Sequence, residues 1–166
     1  ASSSMVPEMQ FNLAMRVREL LSAQKSLSGI VITHGTDSLE ETAYLLDLLI
    51  EDNRPVVFTA AQRPPRVSDS DGPRNLEAAI RTAISLQATG MGVLVVLNDN
   101  IYSARYVTKH HSIAVESFRS GEKGILGTVD DGHVIFYNMP LNRLKIRTER
   151  INPAVDLVKL VVGDQG

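Results

Sequence analysis

Cysteine is absent from all 166 residues, which removes disulfides and thiolate metal sites at once. That absence fits cytoplasm and periplasm equally well. An excess of positive charge is missing too: the formal net charge is -2 and Lys and Arg are scattered, so no nucleic-acid partner is expected. No stretch approaches the roughly 18–20 consecutive apolar residues that cross a bilayer, so no membrane partner is expected either. Walker phosphate loops, a GxGxxG turn after a strand and a GxSxG elbow are all lacking. Phosphate, dinucleotide and α/β-hydrolase chemistry are thereby disfavoured. There is no internal repeat and no low-complexity segment. No secretory leader is legible, and an opening of "ASSSMVPE" without an initiator Met says little about the native N-terminus. What is present is an ordinary soluble composition, 43% hydrophobic and 22% charged. The length suits one domain with a real core and is too short for two ordinary ones.

Hydrophobic spacing organises the chain. Pro7 to Lys25 reads as a helix lined by Leu13, Val17, Leu20 and Leu21, with Pro7 suited to its first turn. Gly29-Ile30-Val31-Ile32 follows a Ser-Gly turn signal and reads as a strand buried on both faces, extending to Thr33. Leu39, Ala43, Leu46, Leu49 and Ile50 mark one face of a second helix running to about Asp52. Asp37 with Glu40, or Ser38 with Glu41, would cap its start, and Gly35 would let the backbone turn. Pro55 to Thr59 is a second buried strand and Gln62 to Pro73 a polar loop. A third helix, about Arg74 to Thr89, is expected to turn Leu76, Ala79, Ile80, Ala83 and Leu86 inward. "GVLVVLND" is a third strand, ending in Asn98 and Asp99.

This alternation implies an α/β fold: a mostly parallel sheet flanked by helices, joined by right-handed crossovers. After Asn100 the texture changes. Ile101 to Thr108 reads as strand and turn, Ser117 to Lys123 as a polar link, and Asp131-Gly132 between β-prone runs as a hairpin. "LVKLVVG" looks like one more strand just before the end.

Polar groups gather where strands finish. The first strand delivers Thr33, His34, Thr36 and Asp37, the second Gln62 and Arg63, the third Asn98 and Asp99. In open α/β sheets ligands bind at carboxyl strand ends. A Thr hydroxyl is a poor nucleophile unless a base takes its proton, and a Lys oriented by Asp can serve. Thr36, Asp37 and Lys109 would make such a set if the fold returns the distant Lys, which spacing alone cannot show. A metal held by His34 and Asp37 with His110 or His111 is the competing use, but it needs contacts the pattern does not support. No metal or other cofactor is expected. A purely structural module, with these groups only capping helices, is the plainest alternative.

In order, "ITHGTDSLEETAYL", "PVVFTAAQRP", "SDGPRNLEAAI", "GVLVVLND" and "RYVTK" resemble the bacterial-type L-asparaginases and glutaminase-asparaginases, type II-like. The likeness covers about Ser2 to Tyr137. It implies an amidohydrolase that releases ammonia from L-asparagine, and from L-glutamine, through an acyl-threonine intermediate. It also implies that Thr36, Asp37 and Lys109 surround the substrate amide, that Asp37 meets the α-amino group, and that Ser2 and Ser3 hold the substrate. A homotetramer with sites completed across subunits, in the periplasm or alternatively the cytoplasm, follows from the same likeness. Two family features are missing from these residues: the Thr-Gly-Gly-Thr-Ile motif that carries the nucleophile, and the smaller C-terminal domain. The expectation is therefore an interior fragment, inactive alone. Residues 1–150 would form an N-terminal α/β domain incomplete at its N-terminus, and 151–166 a linker and the start of a further domain. A non-catalytic amino-acid-binding protein of the same fold is the functional alternative.

Overall fold

The computed structural model describes residues 4–141, 144–152, 155, 162 and 163. Ser2, Ser3 and residues 157–161 of the last expected strand lie outside the described residues. The elements run α1 (Pro7–Ala23), β1 (Ile30–Thr33), α2 (Leu39–Leu49), β2 (Val56–Thr59), α3 (Gly72–Ile84), β3 (Val93–Leu97) and β4 (Asn100–Ser103). Then come β5 (Thr108–Lys109), β6 (Phe118–Arg119), β7 (Gly127–Asp130) and β8 (His133–Phe136). Six strands form one sheet in the order β1-β2-β3-β4-β7-β8, and β5 pairs with β6 as a separate two-stranded ribbon.

The β-branched runs form the parallel part of the sheet, β1 to β2 to β3, with β2 and β3 buried at every position. Burying each such Val, Leu or Phe contributes roughly 1.5–3 kcal/mol. From β3 onward the sheet is antiparallel. Two-residue turns make two of these three reversals, β3 to β4 and β7 to β8. Asp131 and Gly132 take φ of 45° and 75° between β7 and β8, as a two-residue hairpin of the primed type requires. Asn98 and Asp99 take φ of 48° and 60° between β3 and β4. Asn98 and Asp99, expected as reactive groups, are therefore turn residues. Asn and Asp tolerate the left-handed region better than other side chains, and Asp99 is held by Arg74, whose Nε donates over 2.9 Å.

Helices cover both faces. α1 and α2 pack with Val56, Phe58, Val93 and Val95 on one side, and α3 packs with Val57, Leu94 and Val96 on the other. Both crossovers step the sheet in one direction, and two right-handed ones would leave α2 and α3 on the same face. One crossover is therefore left-handed, contrary to expectation. Space supplies a reason. Three strands about 4.8 Å apart leave room on one face for about two helices, and α1 and α2 already occupy it.

α3 also turns a different face inward than its large side chains suggest. Asn75, Ala78, Ala79, Thr82 and Ala83 are buried, while Leu76, Ile80 and Leu86 are 39%, 47% and 90% exposed. Small residues let the helix approach closely. At Gly29, a Cβ would lie 2.8 Å from the Pro55 carbonyl oxygen and closer still to that of Ala83, so this glycine makes room for backbone. The polar link is also more ordered than its composition suggests: Ser117, Phe118 and Ser120 are buried.

A strap over α2 completes the described chain. Asp47, 3% exposed, accepts from the Val93 N–H at 2.9 Å and pairs with Lys145 at 3.4 Å. Arg105 Nε lies 2.8 Å from its other oxygen, out of line for a hydrogen bond. Ile146 N–H donates to Leu48 C=O at 2.8 Å, and Arg147 pairs with Glu51, holding that carboxyl below its usual range.

Candidate active site

The carboxyl ends of β1 and β2 meet the ribbon β5–β6. Thr36 and Asp37 leave β1 toward α2, whose N-cap is Ser38. The turn at Gly35 is made without a positive φ, so the glycine's left-handed freedom is not what the corner uses. Ser38, at the N-cap, makes no side-chain capping bond of the kind its spacing to Glu41 suggested. Instead Glu40, at the second helical position, reaches across to the ribbon. Its Oε1 accepts from Thr108 Oγ1 at 3.0 Å, and its Oε2 accepts the Lys109 backbone N–H.

Lys109 is brought back over the strand ends. Its Nζ donates to Thr36 Oγ1 at 2.8 Å and to Asp37 Oδ1 at 3.2 Å. The amine is mostly enclosed, with the Lys109 side chain 18% exposed, whereas the Asp37 side chain is 59% exposed and open to an incoming group. Such a partly solvated pair contributes about 0–1 kcal/mol to stability. Its interest is chemical rather than structural.

Thr36 is the middle of a longer chain of hydrogen bonds. It donates to Gln62 Oε1 at 3.3 Å, and Gln62 Nε2 donates to Ser117 Oγ at 2.5 Å. With Lys109 donating, Thr36 accepts from an amine and gives its own proton to an amide. Its oxygen is polarised from both sides. For Lys109 to act as base, it must be neutral and the Lys109–Thr36 bond must reverse; as a donor, it orients the hydroxyl and supplies positive charge. A second network braces the loop carrying Gln62. Asp71 accepts from Gln62 N–H at 3.0 Å and Arg63 N–H at 2.9 Å. Asn75, 1% exposed, donates to Asp71 Oδ2 and Ala60 C=O, both at 3.0 Å, and accepts from Asn98 N–H at 2.9 Å. Arg63 itself turns outward to Asp69.

The histidines are used differently. His34 stacks edge-on to Phe58 at 5.8 Å, and its Nδ1 donates to Gly35 C=O at 2.7 Å. That bond fixes the tautomer and leaves Nε2 as a buried acceptor. His111 Nδ1 accepts from Ile113 N–H and Ala114 N–H at 3.1 and 2.9 Å. Among the described residues, no group of three or more His, Asp or Glu is placed to hold a metal. An open groove of about 830 Å³ lies at the other end of α2, between Arg18, Lys25, Glu51 and Arg147–Arg150, and contains none of these side chains.

Sequence reasoning missed Glu40 as a contact of Lys109, and also Ser117 and Asn75. The spacing offers Glu40 only as a capping partner of Asp37, and nothing local ties it to a ribbon 69 residues further on.

An α/β domain with a Thr–Lys–Asp constellation over the carboxyl ends of its parallel strands belongs to the open-sheet class that binds ligands at that edge. Comparison with known proteins narrows it. Residues 1–142 match the family described as Asparaginase, N-terminal, and the chain belongs to that family. It is 47% identical over 131 residues to L-asparaginase 2 of Bacillus subtilis (strain 168), covering 79% of this chain and 34% of that protein. It is 36% identical over 168 residues to the glutaminase-asparaginase of Acinetobacter glutaminasificans, covering 98% and 50%. Among solved structures, a probable cytoplasmic L-asparaginase from Campylobacter jejuni superimposes with a TM-score of 0.81 at 44% identity, covering 84% of this chain and 44% of that one. The chain thus spans between a third and half the length of these relatives.

Proposed function

We propose that the protein containing this chain releases ammonia from L-asparagine and L-glutamine through an acyl-threonine intermediate, with the nucleophile outside these residues. Asp37 receives the substrate's α-ammonium, and Thr36 and Lys109 manage protons at the scissile amide. The nucleophile's oxygen bonds to the amide carbon as its hydroxyl proton is passed to the leaving nitrogen, and the C–N bond breaks to release ammonia. Water then attacks the acyl group and restores the hydroxyl. One observation carries this reading: Lys109 Nζ lies within hydrogen-bond reach of both Thr36 and Asp37 although more than 70 residues separate them in sequence. Family membership and relatives named for asparaginase and glutaminase-asparaginase activity support the substrates.

Ser2 and Ser3 as further substrate-holding residues, assembly as a homotetramer, and division into an N-terminal domain over 1–150 with a linker beyond it belong to the same proposal and rest on the resemblance. So does a periplasmic location, against which stands the cytoplasmic description of the Campylobacter jejuni protein. Among the described residues, no helix is long and apolar enough to cross a membrane.

The test is Lys109→Met in the intact protein. The expected result is a fall of about 100-fold or more in kcat with KM little changed. Asp37→Ala should instead weaken binding, because it strips an ammonium of its charge partner. Unchanged kcat in Lys109→Met would leave Lys109 a structural contact of Thr36 and Asp37 and end this assignment. Asparagine binding without ammonia release by the intact wild-type protein would favour the amino-acid-binding alternative.

A further inference from the structure

We propose that Glu40 is the positioning residue for Lys109: its carboxylate grips the backbone of the ribbon and thereby sets the amine against Thr36. The inference rests on the function proposed above.

The ribbon cannot hold Lys109 by itself. β5 and β6 contribute two residues each, Thr108 against Arg119 and Lys109 against Phe118. A lone two-stranded pair is marginal in water even at ordinary strand lengths. The ribbon borrows its position from the rest of the domain. Tyr102 O–H donates to Phe118 C=O at 3.0 Å and fixes β6 to β4. On β5, the Lys109 N–H goes to Glu40, and Thr108 Oγ1 goes to the same carboxylate.

This places two grips on one residue. Thr36, Asp37 and Glu40 all belong to the corner between β1 and the first turn of α2. Glu40 takes the backbone amide of Lys109, and Thr36 and Asp37 take its amine. With the amide pinned, only the side-chain torsions of Lys109 remain to be set, and the 2.8 Å contact to Thr36 becomes a property of the corner. A carboxylate is suited to this place for two further reasons. It accepts two donors at once, and negative charge at a helix N-terminus is favourable. Rate is sensitive to such placement, since displacement of a reacting group by about 1 Å can cost about 100-fold.

The experiment measures ammonia release and amide hydrogen exchange at Lys109 in the intact protein. Glu40→Ala should lower kcat about 10- to 100-fold with KM for asparagine within about twofold, and should speed exchange of the Lys109 amide at least about tenfold. Glu40→Gln should recover most of both, because its oxygen can accept from the Lys109 N–H while its NH₂ donates to the Thr108 hydroxyl. If Glu40→Gln loses as much as Glu40→Ala, charge rather than grip is what matters, and the inference is overturned. It is overturned equally if Glu40→Ala changes neither kcat nor exchange. Should Glu40→Ala fail to fold, Thr108→Val removes one of the two hydrogen bonds that tie the ribbon to the Glu40 carboxylate, without touching α2. It must then lower kcat several-fold at constant KM, and an unchanged kcat overturns the inference. If wild-type protein releases no ammonia from either amino acid, the proposed function fails separately. Exchange at Lys109 in Glu40→Ala then decides alone, acceleration supporting the grip and an unchanged rate refuting it.

Discussion

Replacing Asn75 by Ala should destabilise the domain far more than the loss of one small side chain suggests. Asn75 is 1% exposed and spends its amide on three partners: Ala60 C=O, Asp71 Oδ2 and the Asn98 N–H. Those partners stand at the end of β2, on the 62–71 loop and at the end of β3. Each buried group left unpaired costs about 1–3 kcal/mol. Two backbone groups and one carboxylate contact together give about 3–5 kcal/mol, a large share of the 5–15 kcal/mol typical of a folded domain. At a slope near 2 kcal/mol per molar, this moves the urea midpoint down by about 2 M. Urea unfolding followed by far-UV circular dichroism reads it. Asn75→Asp sharpens the test. It keeps the shape and the acceptor for Asn98, but turns an oxygen toward Ala60 C=O and Asp71. At neutral pH it should be at least as damaging as Ala. A loss below about 1 kcal/mol in Asn75→Ala, or wild-type stability in Asn75→Asp, would refute the hydrogen-bond account.

Two further outcomes follow from the packing. Gly29→Ala forces a Cβ against the backbone carbonyls of Ala83 and Pro55, neither of which can rotate away, and should cost about 2–3 kcal/mol in the same unfolding assay; a neutral result would show that α3 can shift. Burial pushes the Tyr102 hydroxyl above the ordinary tyrosine range. The folded protein therefore keeps a proton that the unfolded chain releases first, so this stabilisation is complete below the unfolded value and fades as pH rises through the folded one. Phenolate absorbance should include a late component that vanishes in Tyr102→Phe, and its absence from the wild type would contradict the burial argument.

Much of this architecture is legible in the sequence, for identifiable reasons. β-branched runs mark β2 and β3 because a strand buried on both faces has little use for polar residues, whereas β1, which reads the same way, stands at the end of the described strand order and is only partly buried, with Thr33 exposed. Asp131-Gly132 declares its hairpin because both positions need positive φ. Asn98-Asp99 carries the same signal more weakly, and its polarity reads as chemistry instead. The period of α3 is plain but its buried side is not, since large apolar residues attract the eye while a close-packed helix turns Ala and Thr to the sheet. Crossover handedness leaves no local trace. The meeting of Thr36 with Lys109 lies beyond any spacing rule; motif resemblance anticipates it, and the ribbon's return over α2 brings it about.

The ribbon's size bears on how such a site would meet heat. Lys109 rides on a four-residue pairing inserted between β4 and β7, while Thr36 and Asp37 are anchored beside a six-stranded sheet. Segments with few pairings open at free energies well below that of the whole domain. Warming would therefore peel the amine away from its partners while the sheet still stands. Activity would fade before the protein melts, and cooling would restore it, because only one short excursion has to close again.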